Sequence, residues 1–393
     1  MSDRPLAVVI APDSFGGALD SVGVAAAIAA GWRRVRPDDA LTLKPMADGG
    51  EGTLAAVRAA LGDAADERST ATTDPLGRPV DAAWLLVDAG RGAFVEMASA
   101  SGLARLAPDE RTPASVRRAS TRGTGDVIRA ALDAGVTQIT IGLGGSATND
   151  GGTGILRALG ARLLDGHGAE LPEGGAPLAQ LAAIDAAGLD PRLATTRLVI
   201  ASDVTNPLCG PRGASATYGP QKGADPATVA ELDAALATYG RAIEAATGRL
   251  VADIPGAGAA GGTTAAFLGF THASVRPGVE VVAELAGLHA ALEAADLVVT
   301  GEGRADAQTL SGKATMGVAT LASARHTPVV LLTGGLGPGA EALQAVGALT
   351  LVQPIPDGPI ELAAAMADTA RLLADAAGRL ARGIDIGLRL ADR

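Results

Sequence analysis

Five carboxylates stand where short apolar runs of the sequence stop: Asp13, Asp48, Asp203, Glu302 and Asp306. Taken singly, each reads as a turn or cap former. Parallel strands, however, bring their C-terminal ends to one edge of a sheet, and open α/β folds bind ligands along that edge. Together the five could therefore hold a cation and orient a hydroxyl. Phosphoryl transfer needs those parts: Mg²⁺ on carboxylate and phosphate oxygens, and a group that positions the attacking oxygen. Asp203, close to Asn206, is the preferred base. Arg304 suits a substrate carboxylate, and Lys222 offers a point charge to a phosphate. Asp13, Ser14, Asp48, Asn206 and Arg304 form the expected substrate contacts. The plainer reading is a solvated Lys222, and an Arg304 held by its neighbours Glu302 and Asp306.

A second constellation lies in Gln138–Gly154, QITIGLGGSATNDGGTG. An apolar run ends in a glycine-rich turn and a helical pattern follows. Outward-pointing N–H groups and a helix start would suit an anion there. Gly144 and Gly145 permit close approach, and Ser146, Thr148 and Asn149 supply side-chain hydrogen bonds to a phosphate. Asp150 is either a helix cap or, with Glu302 and Asp306, a cation ligand. The string Gly256-x-Gly258-x-x-Gly261, with Glu280 beyond, has dinucleotide spacing. That reading requires a strand before Gly256, and Asp253 and Pro255 interrupt the preceding run. Gly256 and Gly258 stay on the phosphate-binding set as N–H donors, and so does Lys313. No Walker A motif is present, since Ala307 stands where the first glycine before Gly312-Lys313 belongs. His167, His272, His289, His326 and Cys209 show no zinc spacing.

These residues need scaffolds. Leu6–Ala11 reads as a buried parallel strand, and Leu41–Met46, Ile139–Leu143, Leu198–Ala201, Leu297–Thr300 and Val329–Leu332 read as further strands alternating with helical patterns. Val80–Val87 and Gly92–Met97 read as strands with no helix between them, and mark a mixed region. Helices are expected from Asp20 or Ser21 to about Val35, over Pro226–Ala246, over Met316–Ala324 and along the tail Leu362–Leu380. The fold class is α/β with two domains. A flavodoxin-like or Rossmann-like parallel-sheet domain comprises 1–76 and 287–393, and a mixed α/β domain, 77–286, is inserted in it. The active site is expected in the cleft between them. Hydrophobic residues make up 48% of the chain and aromatics 2%, so cores of Ala, Leu, Val and Ile are expected. The net charge of −11 argues against a nucleic-acid partner. With no apolar stretch of about 20 residues a membrane span is not expected. One cysteine and no evident signal peptide fit a cytoplasmic enzyme. A homo-oligomer is compatible with all of this.

Taken in order, APDSF, PMADGGEGT, VEMASASGL, STRGTGDVI, IGLGGSATNDGGTG, SDVTNPLCG, GPQKGA, PGAGAAGG and TGEGRADAQTLSGK resemble the bacterial glycerate kinase family over essentially the whole chain. The resemblance implies a two-domain α/β enzyme that uses ATP and Mg²⁺ to phosphorylate D-glycerate, with 2-phosphoglycerate as the usual product. One departure is visible. Family members carry Lys after the aromatic of A-P-D-S-F/Y-K, often with Ser two further on, and Gly16 and Ala18 stand at those positions. The competing readings are an NAD-dependent oxidoreductase, from the glycine spacing at Gly256, and a catalytically reduced sugar-acid-binding protein, from the lost lysine.

Overall fold

The computed structural model describes residues 4–307, 309–311, 314–345 and 347–391. Its strands are β1 (Ala7–Ile10), β2 (Ala40–Leu43), β3 (Asp66–Thr73), β4 (Pro79–Val87), β5 (Gly92–Glu96), β6 (Gln138–Gly142), β7 (Arg162–Leu164), β8 (Ala183–Asp185), β9 (Arg197–Ala201), β10 (Ser274–Arg276), β11 (Leu297–Glu302), β12 (Val329–Thr333) and β13 (Leu351–Pro354). The chain divides into two compact units. The first comprises Met1–Asp48, Ala55–Gly62 and Val279–Arg393, and the second Gly49–Leu54 and Asp63–Gly278.

The first unit carries a sheet in the order β13-β12-β11-β1-β2, and every pairing in it is parallel. Counted within this sheet the order is 2-1-3-4-5, that of flavodoxin-like folds. β11 and β12 are buried along their whole length, as a strand covered by helices on both faces must be. The helices Ser21–Arg33 and Thr369–Ala391 pack together over one face, and bury Ile28, Trp32, Leu372 and Leu373 with Val8, Ile10 and Val299. Each such side chain contributes about 1.5–3 kcal/mol. Asp20 caps the first of these helices, accepting from Gly23 N at 2.7 Å. The expected single tail helix is interrupted at Asp368, so that Leu362–Ala367 and Thr369–Ala391 are separate.

The second unit holds the order β10-β9-β6-β5-β4-β3. The first four strands run parallel, and β4 and β3 continue antiparallel. β3 lies within the segment 1–76 that the sequence assigns to the flavodoxin-like domain. Its ladder with β4, from Asp66↔Leu86 to Thr73↔Pro79, ties it to the mixed sheet instead. β7 and β8 form a separate hairpin pair. No described helix is long and apolar enough to cross a membrane.

Candidate active site

In the first unit, β1 and β11 are neighbours, and β1 is also paired with β2. The chain order reverses at β1, which makes the space beyond the C-terminal ends of β1 and β11 the switch point where such sheets bind ligands. A cavity of ≈ 710 Å³ lies there, with Asp13, Ser14, Glu302 and Arg304 among its walls. Backbone bonding holds these residues in place. Asp13 N donates to Gly301 O at 2.8 Å, Gly334 N to Glu302 O at 3.2 Å and Met46 N to Pro12 O at 2.8 Å. Ser14 N donates to the Asp13 carboxylate at 2.6 Å. The turn at Phe15–Leu19 is closed by Phe15 N donating to Leu19 O at 2.8 Å. Arg304 is 65% exposed and pairs with Asp306 at 3.3 Å, so its guanidinium keeps most of its surface open to a ligand. Gly16 lines the same cavity, and a Cβ there would meet nothing. Asp48 follows β2 and is exposed. Lys313 lies outside the described residues.

The glycine-rich stretch in the second unit is partly engaged inside the protein. Several of its N–H groups are taken up there. Gly144 N donates to Gly49 O at 3.1 Å, Ala147 N to Ser101 O at 3.0 Å, Gly151 N to Gly261 O at 3.0 Å and Thr153 N to Asp150 O at 3.1 Å. Gly152 N and Gly154 N both reach the Asp150 carboxylate at 3.1 Å. The side chains also face inward. Thr148 and Asn149 are fully buried, and Ser146 is buried. Asn149 Nδ2 donates to Ser215 Oγ at 2.9 Å. The glycine requirement comes from packing, since a Cβ at Gly144 would overlap Gly50 Cα. The segment Gly49–Leu54 thus lies against this loop at the ends of β6 and β9.

Asp150, expected as a cap or a cation ligand, is an internal staple. Besides Gly152 and Gly154, it accepts from Thr121 N and Thr121 Oγ1, each at 2.9 Å. Its carboxylate is buried and accepts four hydrogen bonds from inside the protein. Burial pushes its pKa up, against the pull of these donors. Among the described residues no three His, Cys, Asp or Glu side chains converge as a metal site.

Lys222 is 2% exposed rather than solvated. Its Nζ donates to Ser146 Oγ at 2.9 Å and Thr148 O at 2.6 Å. Burial lowers its pKa to about 7, with the Asp150 charge opposing the drop. It braces the loop from behind and does not reach out from it. Asn206 is likewise consumed by its own loop. It donates to Arg212 O at 2.7 Å and Thr217 Oγ1 at 3.2 Å, and accepts from Tyr218 OH at 2.9 Å. Asp203, in the same loop, is exposed. It follows β9 and is anchored by Gly278 N at 2.9 Å.

Gly256 and Gly258 do not open a dinucleotide turn, because no strand precedes them. Gly258 N donates to Asn206 O at 3.0 Å. Ala260, Gly261 and Gly262 then take three successive positive φ values before the helix continues. This region packs on the 148–151 loop, and the missing strand removes the ground for an NAD-dependent oxidoreductase. Sequence reasoning missed Glu96 at the end of β5. It is buried and accepts from Leu54 N at 3.2 Å. Burial raises its pKa, and the N–H groups of Leu54, Thr53 and Gly52 hold the rise back. It fits the pattern of a carboxylate at a strand end, but Met97 and Ala98 follow it in place of a glycine turn.

A model of the glycerate kinase family matches residues 8–385. The chain is 46% identical over 329 residues to the glycerate 2-kinase of Escherichia coli K12, covering 84% of this chain and 85% of that one. It is 42% identical over 386 residues to the glycerate kinase of Bacillus subtilis 168, with 98% of each covered. A crystal structure from Salmonella typhimurium LT2, provisionally assigned as glycerate kinase 2, superposes with a TM-score of 0.85 at 42% identity. The match covers 98% of this chain and 100% of that one.

Proposed function

This chain belongs to the glycerate kinase family, and we propose that it transfers the γ-phosphoryl group of ATP to the 2-hydroxyl of D-glycerate. The observation that carries the reading is the polar wall of the cavity at the β1/β11 switch point. Two carboxylates, a hydroxyl and an exposed guanidinium meet there on neighbouring strand ends. Arg304 supplies a planar, permanent cation to an anionic oxygen pair. Asp203, exposed and held by Gly278 N, takes the proton of the attacking hydroxyl. Lys222 acts at one remove, by fixing Ser146 and the backbone at Thr148.

Asp13 and Glu302 fit a Mg²⁺ ion, which commonly takes one or two carboxylates and completes its shell with phosphate oxygens and water. Bound there, the ion would neutralise phosphate charge. The name of the Escherichia coli relative supports the 2-hydroxyl as acceptor.

The test is a coupled ADP-release assay with D-glycerate, followed by ³¹P NMR of the product. D-glycerate-dependent ADP release with 2-phosphoglycerate as product is expected. No ADP release would refute the kinase reading, and a 3-phosphoglycerate product would refute the assigned hydroxyl.

A further inference from the structure

A second cavity in the first unit, of ≈ 280 Å³, shares no lining residue with the one at the switch point. It forms where the helices Ser21–Arg33 and Thr369–Ala391 approach closely. A Cβ at Gly31 would overlap Ala374 O, and one at Gly378 would come within 3.4 Å of Gly31 O. Glycine at the contact leaves no side chain to fill the space beside it, and long side chains form the wall. Arg34 comes from the end of the first helix, Arg379 and Arg382 from the second, and Asp357 from the segment after β13.

This wall carries more positive charge than its partners neutralise. Asp375, the other carboxylate of the lining, is shared between Arg34 at 3.3 Å and Arg371 at 3.0 Å. Arg379 donates to a carbonyl, Ile355 O, at 2.9 Å, and not to a carboxylate. Arg382 and Asp357 are exposed, and neither makes an ion pair or hydrogen bond among the described residues. Arg379 and Arg382 stand three residues apart on one helix face, where like charges repel each other. A phosphate relieves that repulsion, because each guanidinium offers it a planar fork of donors.

We propose that this cavity is an effector site for a small phosphate-bearing anion, held by Arg34, Arg379 and Arg382, and that its occupation lowers turnover. Ligand pockets commonly span about 300–1,000 Å³. At ≈ 280 Å³ this one suits free phosphate or a phosphomonoester of a few carbon atoms. Arg379 connects it to the switch point. Its guanidinium lines this cavity and donates to Ile355 O, while Ile355 and Pro356 line the other. A bound phosphate competes with Ile355 O for that guanidinium. When Arg379 turns to the anion, the 355–356 segment loses its tie to the helix, and the switch-point cavity loses a fixed wall. That difference in contacts is what couples the two sites. The effect on turnover, as distinct from binding, rests on the kinase reading.

Isothermal titration of the full-length protein with inorganic phosphate and with 2-phosphoglycerate, at constant ionic strength, reads binding without turnover. For each anion a binding event is expected that Arg382→Ala weakens at least tenfold, with Tm unchanged. Asp357→Asn removes the unpaired carboxylate of the lining and should tighten the same event at least twofold. A Kd for 2-phosphoglycerate at least tenfold below that for phosphate would make a phosphomonoester the effector, and equal values would make it free phosphate; both sustain the site. In initial-rate assays phosphate should lower kcat of the wild type without raising KM for ATP or D-glycerate. Arg382→Ala should match the wild-type kcat in the absence of phosphate and resist the inhibition. Binding of both anions untouched by Arg382→Ala would overturn the site. Inhibition purely competitive with ATP, or equal in wild type and Arg382→Ala, would overturn the coupling. A protein that binds phosphate as described but releases no ADP with D-glycerate would refute the kinase reading and leave the site standing.

Discussion

Replacing Lys222 by Met should change how stability depends on pH. The Lys222 ammonium loses its hydration on folding, and its pKa falls from 10.5 to about 7. Below about pH 7 the folded and unfolded chains both carry the proton, and the cost of burying the charge is fully present. Between about pH 7 and 10.5 the unfolded lysine is protonated and the folded one is not. Unfolding then takes up a proton, and stability rises by about 1.4 kcal/mol per pH unit. The whole drop is worth about 5 kcal/mol, and the part between pH 7 and 9 about 2.7 kcal/mol. The neutral amine still donates to Ser146 Oγ and Thr148 O, so the loop keeps its brace. Lys222→Met removes the titration and leaves Thr148 O without this donor, at a pH-independent cost of about 1–3 kcal/mol. Urea denaturation at pH 6, 7, 8 and 9 measures the difference between wild type and variant, in which all other titrations cancel. The difference should be flat from pH 6 to 7 and then grow in favour of wild type by about 2–3 kcal/mol up to pH 9. Parallel pH profiles, within about 0.5 kcal/mol, would refute the buried, depressed lysine.

Asp150→Ala removes the acceptor shared by Thr121, Gly152 and Gly154, and should cost at least about 3 kcal/mol by denaturant titration; a loss below about 1 kcal/mol would contradict its role as a staple. Asp203→Asn should lower kcat at least about tenfold with Tm unchanged, because a positioned base is worth about 10²–10⁴; wild-type kcat would remove Asp203 from the chemistry. Gly16→Lys places its side chain where a Cβ meets nothing, so Tm should hold. The added cation should lower KM for ATP several-fold, and an unchanged KM together with an unchanged kcat would show that the position does not reach the phosphates.

The elements legible in the sequence were those with a strong apolar signal. β1, β6, β9, β11 and β12 announce themselves as compact Val-, Ile- and Leu-rich runs ending in a turn, and β2, an edge strand with no buried residue, by Leu41 and Leu43 ahead of its turn. β3 does not, because DERSTATT is a largely exposed edge strand with no buried alternating face. β13, also at an edge, escaped for the same reason: of Leu351 to Pro354 only Val352 is buried. The site was legible as a set of stretches but not in how each one works. Gly144 looks the same in sequence whether its N–H faces a phosphate or Gly49 O, and a partner that distant in the chain decides between the two. Lys222 and Asn206 were misplaced for a related reason. A polar residue in a glycine-rich loop is read as exposed, whereas here Ser146, Thr148, Arg212 and Tyr218 supply enough partners for both to turn inward. Asp13, Glu302 and Arg304 were legible as residues of strand ends, and the switch point brings them to one cavity wall.

The parallel sheet of the first unit also sets an order of events during synthesis. β1 is paired on one side by β2, but its other neighbour is β11, in the register Val8↔Leu297. At about 5–20 residues per second the ribosome needs roughly 15–60 s to travel from one to the other. Through that interval β1 and β2 lack the strand that completes their centre, while the contiguous run Asp63–Gly278 emerges with all six strands of its own sheet. The mixed sheet therefore has the means to fold first, and the nascent chain carries an open, apolar strand edge until its last third is made. Chaperone dependence and aggregation of truncated chains should both concentrate on truncations that stop before β11.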